Sequence, residues 1–240
     1  MRGQRDKVTF SPRGVAASFI IVMAALLFSC GLPTREYLYP PTQFYSASGI
    51  IRLYHDSNNI DDAASAALFK GYDIYYRIFD TKEAADTSYS TLSSSLTYSN
   101  ISTIVSSQKY YVLSKRSSSG DTYDIRTPLI PFGTSDSYTY FALNINNLAT
   151  WTITADDSAT HLFYIVRNRG TTTLASTADF CLYAHYNSGD QDYAGDGISS
   201  GDSVYIVFFA VAHGVSSSSI GTDIYSDPVI LEPIAYAPGS

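Results

Sequence analysis

The run Val204–Ala212 constrains the fold of this chain more than any other feature. In a β-strand, alternate residues point to opposite faces. Here both sets are apolar: Val204, Ile206, Phe208 and Ala210 on one face, and Tyr205, Val207, Phe209 and Val211 on the other. A strand of this kind must be central in a sheet and covered on both sides, or lie at an interface. The fold therefore needs a layer of structure on each side of this strand.

A second strand is predicted over Gly71–Phe79, because its apolar side chains recur with a period of two. Tyr72, Ile74, Tyr76 and Ile78 share one face, and Asp73 and Arg77 lie on the other. Further strands are predicted at residues 50–55, 109–114, 138–145, 151–154, 161–167, 180–186 and 224–232, with loops at 117–120 and 189–201. The chain is therefore expected to be mainly β.

One short helix is predicted over residues 81–96. Asp80 and Glu83 have the spacing of a capping box, with a carboxylate at the N-cap and Glu at the third helical position. Ala84, Ala85 and Leu92 continue at helical spacing, although the Ser and Thr density after Ser88 weakens the helix.

The N-terminus has the zones of an exported protein. A basic head, with Arg2, Arg5, Lys7 and Arg13, precedes an uncharged apolar stretch over residues 14–28. That stretch is shorter than the ~20 residues of a membrane-spanning helix. A basic segment followed by a short apolar one is typical of a secretory signal, which is excluded from fold reasoning.

The end of this signal, Leu27-Phe28-Ser29-Cys30-Gly31, resembles a bacterial lipobox, and Phe28 makes it similar to the looser boxes of spirochaete lipoproteins. The resemblance implies a signal peptide over residues 1–29 and a lipid anchor on Cys30. Residues 30–45 are then expected to be a Pro-containing tether. Gly31 in place of Asp favours the outer membrane, by analogy with enteric bacteria. The remaining cysteine, Cys181, lies in an apolar run and is expected to be buried and unpaired.

Charge and composition restrict the partners. Without residues 1–29 the chain keeps 11 Lys and Arg against 21 Asp and Glu, a net charge of −10. This balance argues against nucleic acid and against electrostatic adsorption to anionic lipid. The chain also has 21 Tyr. Tyrosine is both a strand residue and a residue of recognition surfaces, and the sequence leaves these two interpretations equal.

Three segments together resemble an immunoglobulin-like sandwich of the fibronectin type III kind. Residues 71–77 resemble its third strand, 204–212 its sixth and 226–231 its closing strand. The resemblance implies a β-sandwich over residues 46–234, with a large insertion at about 80–200 that holds the short helix, and a C-terminal tail at 235–240. It also implies that Tyr205 is the tyrosine corner, and a binding or spacing role.

The Asp-rich loop contains the sharpest chemical signal. Asp190, Asp192 and Asp196 offer oxygen ligands of the type that Ca²⁺ prefers, in a Gly-rich setting. The alternative is a solvated hairpin loop in which Asp and Gly serve turn geometry. No other cofactor is indicated.

No catalytic constellation is apparent. The four histidines lack zinc-motif spacing. His185 and His213 lie in predicted strands that could be neighbours, which would allow a two-histidine metal site. No Gly-x-Ser-x-Gly elbow occurs. The sequence therefore predicts a non-catalytic, lipid-anchored binding module with a protein or glycan ligand. Its contact surface is expected on Tyr-rich strand faces and on the acidic loop. The alternatives are a structural envelope component that docks through the 204–212 face, and a glycan-processing enzyme with two facing carboxylates.

Overall fold

The computed structural model describes residues 36–117, 123–124, 128–133, 136–156, 158, 160–169, 180–219 and 221–239. The predicted signal peptide and Cys30 lie outside these residues. The strands are β1 Gln43–Ala47, β2 Ile50–Tyr54, β3 Phe69–Phe79, β4 Tyr111–Val112, β5 Ser114–Ser117, β6 Tyr123–Asp124, β7 Ile130–Pro131, β8 Tyr140–Asn144, β9 Trp151–Ala155, β10 His161–Val166, β11 Tyr193–Ala194, β12 Val204–Val215, β13 Asp223–Tyr225 and β14 Val229–Tyr236. The helices are α1 Asn58–Asp61, α2 Ala63–Leu68, α3 Lys82–Ser95 and α4 Ile101–Gln108, with a 3₁₀ turn at Tyr183–His185.

Two sheets form the body of this mainly β protein. The outer sheet is antiparallel throughout, in the order β1-β2-β8-β9-β10-β5-β6. The central sheet is built on the long antiparallel pair β3–β12. The far edge of β12 pairs with β13 and β14, and the far edge of β3 pairs with β4, β7 and β11. The expectation of a mainly β chain is confirmed.

The central sheet is covered on both faces, as the apolar pattern of residues 204–212 requires. Ile206, Phe208 and Ala210 belong to the core that the central sheet shares with the outer sheet. Val207 and Phe209 pack instead with buried residues of α3 and α4. Because β12 is apolar on both faces, each side excludes water, and burial of each large side chain contributes about 1.5–3 kcal/mol. The prediction of a central, doubly covered strand is confirmed.

Aromatic side chains organise the core between the two sheets. Trp151 of β9 stacks on Phe180, with ring centroids 4.0 Å apart and planes 8° apart. Tyr76 of β3 contacts the same Phe180 ring edge-on at 5.2 Å. These rings join the outer sheet, the central sheet and the segment around Phe180, so the two sheets form one packed unit.

The segment predicted as an insertion, residues 80–200, supplies most of the outer sheet. Five of its seven strands, β5, β6, β8, β9 and β10, come from these residues. They also hold two helices, α3 and α4, where one was predicted. The predicted helix at 81–96 corresponds to α3, but its N-cap is Thr81, whose side chain accepts from the Ala84 amide.

Two terminal boundaries also differ from the prediction. Residues 36–45 were assigned to the tether, yet Leu38 is buried in the core and Phe44 lies in β1. The tail at 235–240 begins inside β14, whose Tyr236 pairs with Val204. In both cases apolar side chains hold the segment against the domain, and periodicity alone could not find such short contacts.

The strand predicted at 180–186 is absent, and a 3₁₀ turn at Tyr183–His185 stands there. Phe180 and Cys181 are both fully buried. A regular strand points consecutive side chains to opposite faces, so one sheet face cannot take both. Cys181 is buried, as expected, and its Sγ donates to the Asn147 carbonyl at 3.4 Å.

Candidate functional site

Two aspartates of the Asp-rich loop, Asp190 and Asp192, belong to a buried ion-pair cluster. We call it the arginine cluster: Arg167, Asp190, Asp192 and Tyr76. Arg167 Nε and Nη2 donate to the two carboxylate oxygens of Asp192 at 2.9 and 2.7 Å. Nη2 also lies 3.2 Å from Asp190 Oδ2, and Nη1 donates to the His185 carbonyl at 2.7 Å. The Tyr76 hydroxyl donates to Asp192 Oδ2 at 2.6 Å.

Each charged group of the arginine cluster has a partner of opposite charge within the cluster. Burial opposes the charge on Arg167, but Asp192 outweighs this and raises the pKa of the guanidinium above its ordinary value. Burial beside Asp192 raises the pKa of the Tyr76 hydroxyl well above its ordinary value, so that it stays a donor. The guanidinium lies over the Tyr186 ring, 4.7 Å from its centroid. These groups therefore brace β3 against the end of β10 and the 190–192 loop.

The calcium site predicted at Asp190, Asp192 and Asp196 needs correction for this reason. Asp190 and Asp192 both bind Arg167, whereas Asp196 is exposed and does not join them. Within the described residues, no group of three or more His, Cys, Asp or Glu side chains could hold a metal ion. The two carboxylates face a buried cation, so the loop is a structural element of the core.

A second buried pair joins β3 to β12. His213 Nδ1 lies 2.7 Å from Asp73 Oδ2, and Asp73 Oδ1 accepts from the Leu129 amide at 2.7 Å. On the opposite side of the ring, His213 Nε2 lies 3.2 Å from Asp223 Oδ1 of β13. Burial disfavours charge on His213, but the hydrogen bonds and charges of Asp73 and Asp223 outweigh it and raise the pKa of His213. His213 thus bridges two acids and does not form a two-histidine metal site with His185.

A row of stacked tyrosines lies on the face of the outer sheet that points away from the core. We call Tyr45, Tyr54 and Tyr140 the tyrosine ladder. The Tyr45 and Tyr54 rings are stacked with centroids 6.1 Å apart, and the Tyr54 and Tyr140 rings with centroids 4.9 Å apart. The Arg52 guanidinium lies 5.9 Å from the centroid of the Tyr140 ring. Tyr45 is 37% exposed, so the ladder reaches solvent.

Local sequence fixes the geometry of the ladder. Alternation along β2 sends Ile51 and Leu53 into the core and Arg52 and Tyr54 to the opposite face. Ser48 and Gly49 both have positive φ, 51° and 70°, as a two-residue type I′ hairpin requires. This turn sets the register in which Tyr45 faces Arg52, so a one-residue slip would move the whole ladder to the core side.

The strands that carry the ladder lack acidic residues. Neither Asp nor Glu occurs in β1, β2, β5, β8, β9 or β10, although 21 acidic residues follow residue 29. Arg52 alternates instead with the core residues Ile51 and Leu53 of β2. The face therefore presents tyrosine rings, their hydroxyls and the Arg52 guanidinium on an acidic domain.

The sequence predicted the type of this contact surface but not its residues. Tyr-rich strand faces were expected to form the contact surface, but the particular tyrosines depend on the pairing of β1, β2 and β8, which no periodicity reveals. The sequence alone assigned no role to Arg167. The feature that could have indicated a buried ion pair is a single cation directly after the apolar run 162–166.

Tyr205, the expected tyrosine corner, lies at the start of β12, opposite Phe79 and Ala235. It packs against the core beneath α3, and its hydroxyl makes no hydrogen bond within the described part of the chain. A tyrosine corner requires such a bond to the backbone. Tyr205 is therefore a packing residue here.

No protein-family model, curated protein or solved structure matches the chain. Across the described residues, no helix has the length and apolar character needed to cross a membrane. Inference about function consequently depends on the residues themselves.

Proposed function

We propose that this protein is a lipid-anchored, non-catalytic binding module of the bacterial cell envelope. Cys30 carries the anchor, and the tyrosine ladder binds a protein or glycan partner. One observation carries the proposal: a row of stacked, solvent-reaching tyrosines with Arg52 beside it, on strands β1, β2 and β8, which contain no acidic residue. The outer membrane is the proposed location.

The chemistry of the ladder suits recognition. Tyr and Arg are enriched among the residues that dominate binding energy, because a rigid ring or planar guanidinium gives large contact area at low entropic cost. Stacking between Tyr54 and Tyr140 holds both rings in place before any partner arrives. The lack of carboxylates on these strands, within a domain of net charge −10, favours a neutral partner. The net charge of −10 makes nucleic acid a poor candidate.

The envelope-oligomer alternative is less favoured, because it depends on an uncovered 204–212 face, and β12 is covered by the outer sheet on one side and by α3 and α4 on the other. The glycan-processing enzyme remains the second candidate, because Asp61 and Asp136 line one cavity. The buried carboxylates Asp73 and Asp192 are paired with His213 and Arg167, which favours a structural role for these two.

We also propose that the sandwich is a distant variant of the fibronectin type III arrangement. Support comes from the adjacency of β3, β12 and β14, since the three segments that carry the resemblance lie side by side. The helices over the central sheet and the β2-β8-β9-β10 order of the outer sheet are additions to that arrangement.

Substitution of the ladder tests the binding function. We expect Tyr45→Ala with Arg52→Ala to weaken attachment of the purified protein to its partner at least about 30-fold, because even one residue of this type contributes about 2 kcal/mol when it is central to an interface. The probes are surfaces coated with extracellular-matrix proteins or with isolated cell-envelope glycans, read by biolayer interferometry.

The matched control lies on the helical layer. Thr87→Ala with Thr91→Ala alters the exposed side of α3, where each hydroxyl bonds only its own helix backbone. Binding should be unchanged in this variant. Equal loss in both variants, or attachment of the wild type to none of the probes, would refute the assignment of the ladder.

The anchor has a separate test. Cys30→Ala should move the protein from the detergent phase to the aqueous phase or leave an unprocessed precursor, since an acyl chain contributes about 0.8 kcal/mol per buried CH₂. Intact-mass measurement of membrane-extracted wild type should give a chain that begins at acylated Cys30. An unchanged detergent partition of the variant would contradict the lipid anchor.

A further inference from the structure

A small cavity opens where β2 ends and β8 begins. Its volume is about 290 Å³, just below the range of about 300–1,000 Å³ that is usual for drug-sized ligands. Its lining combines the apolar side chains of Ile60 and Phe132 with His55, Tyr138 and the carboxylates of Asp61 and Asp136, and Ser and Thr hydroxyls complete it. A cavity of this size and polarity fits one small polar ring.

His55 is held rigidly in the wall of this cavity. Its ring stacks on Phe132, with centroids 4.2 Å apart and planes 19° apart. Its Nδ1 lies 2.7 Å from the Tyr72 hydroxyl. Burial lowers the pKa of His55 despite the opposing charges of Asp56 and Asp61, so the imidazole is neutral near pH 7.

The hydrogen bonds around Tyr72 determine which nitrogen of His55 carries the proton. The Tyr72 oxygen accepts from the Asp56 amide at 3.2 Å and from Asn59 Nδ2 at 3.3 Å. Its own proton is then available for His55 Nδ1, which must accept. The neutral ring therefore carries its proton on Nε2, and His55 is a hydrogen-bond donor at the cavity wall.

These groups discriminate between classes of ligand. Asp61 and Asp136 repel an anion, and no cation in the lining would compensate. An alkylammonium would meet the carboxylates favourably but would face the His55 N–H donor unfavourably. A neutral polyol satisfies both kinds of group, because a hydroxyl donates to a carboxylate and accepts from an N–H. The half-buried Tyr138 ring offers an apolar surface to the C–H face of a sugar.

The cavity is a site separate from the tyrosine ladder, although the two are neighbours along the chain. His55 follows Tyr54 and Thr139 precedes Tyr140, and the His55 amide donates to the Thr139 carbonyl at 3.0 Å. The His55 ring contacts the core residues Phe132 and Tyr72, whereas the Tyr54 ring stacks on the face that points away from the core.

We infer that this cavity binds a single neutral pyranose. The inference adds a sugar site to the proposed binding function and does not depend on the tyrosine ladder. Asp61 and Asp136 accept from the sugar hydroxyls, and His55 Nε2–H donates to one of them.

Saturation-transfer NMR on the purified protein tests this assignment, with the methyl glycosides of glucose, galactose, mannose and N-acetylglucosamine as probes. We expect transfer to at least one neutral glycoside, and none to butylammonium or acetate. Asp61→Asn should weaken that binding about tenfold, because it removes a hydrogen bond to a charged group. Ser137→Trp, which places a large side chain at an exposed lining position, should abolish it.

Two controls keep this test separate from that of the binding function. Asp196→Asn alters an exposed acid on another loop and should leave sugar binding unchanged, as should Tyr45→Ser on the ladder. Transfer to butylammonium in preference to the glycosides, or transfer that Asp61→Asn and Ser137→Trp leave intact, would overturn the inference. If no glycoside binds while the coated surfaces still retain the protein, the cavity assignment fails and the binding function stands. If neither binds, both fail.

Discussion

Replacement of Asp192 by Asn should lower the free energy of unfolding by about 3–5 kcal/mol, since breaking one side of a buried ion pair leaves an uncompensated charge. Asn is nearly the same size as Asp, so the change removes charge and leaves packing intact. Arg167 would keep the His185 carbonyl and the partly buried Asp190, but the fully buried two-point contact would be lost. The hydroxyl of Tyr76 would also lose its carboxylate acceptor. Urea titration monitored by the fluorescence of the single tryptophan, the buried Trp151, measures this change.

The same loop provides the control for this prediction. Asp196→Asn should change the unfolding free energy by no more than about 0.5 kcal/mol, because Asp196 is exposed. Added Ca²⁺ should leave the melting temperature of the wild type unchanged, as Asp190 and Asp192 already bind Arg167. A Ca²⁺-dependent rise in melting temperature that Asp196→Asn removes would restore the metal site that the sequence suggested.

Strong local patterns in the sequence predicted the centre of the fold correctly. The runs 71–79 and 204–212 have apolar residues at every second position or at every position, and these became the paired strands β3 and β12. Ala85 and Leu92 likewise placed α3 on the correct segment. Such elements are determined by burial of their own side chains, so their pattern is visible without knowledge of the partner.

The elements that sequence reasoning missed depend on partners distant in the chain. Helix α4, with the sequence Ile101–Gln108, has only one buried residue, Ile101, and weak helix formers around it. Its place is determined by the apolar face of β12 that it helps to cover. Strand β1 has one buried side chain, Phe44, and pairs through its backbone. Neither element has enough periodicity of its own to be recognised.

The candidate sites likewise combine residues that a local pattern identifies with residues that only the fold brings together. Aspartates in a Gly-rich loop are compatible with Ca²⁺ or with a cation of the protein, and only the position of Arg167, 25 residues before Asp192, decides between them. The tyrosine count indicates a recognition surface or ordinary strand residues with equal weight. The register of β2 on β8, which the sequence does not reveal, places Tyr54 directly opposite Tyr140 and so defines the surface that we propose.

The second large effect is expected at His213, as a pH-dependent loss of stability. Because Asp73 and Asp223 raise the pKa of His213 in the folded state, the folded protein binds a proton more tightly than the unfolded chain. This stabilisation is complete below the ordinary imidazole pKa of about 6.5 and disappears as the pH rises through the raised value. His213→Gln, which keeps a hydrogen-bond donor without the charge, should lower the unfolding free energy by about 2–3 kcal/mol at pH 6. The deficit should shrink steadily towards pH 9.

The difference between wild type and variant is the quantity to measure, because His55 titrates with the opposite sign. The pKa of His55 is lowered by burial, so its contribution is present above the ordinary imidazole pKa and is lost as the pH falls. Subtraction cancels this term, since His55 is common to both proteins. Asp223→Asn serves as the control: Asp223 is 53% exposed, so its removal should alter stability by less than about 1 kcal/mol. A deficit in His213→Gln that is constant from pH 6 to 9 would mean that His213 stabilises β12 and β3 by packing alone. Tyr225, whose ring lies 5.0 Å from that of His213, would then be its principal partner.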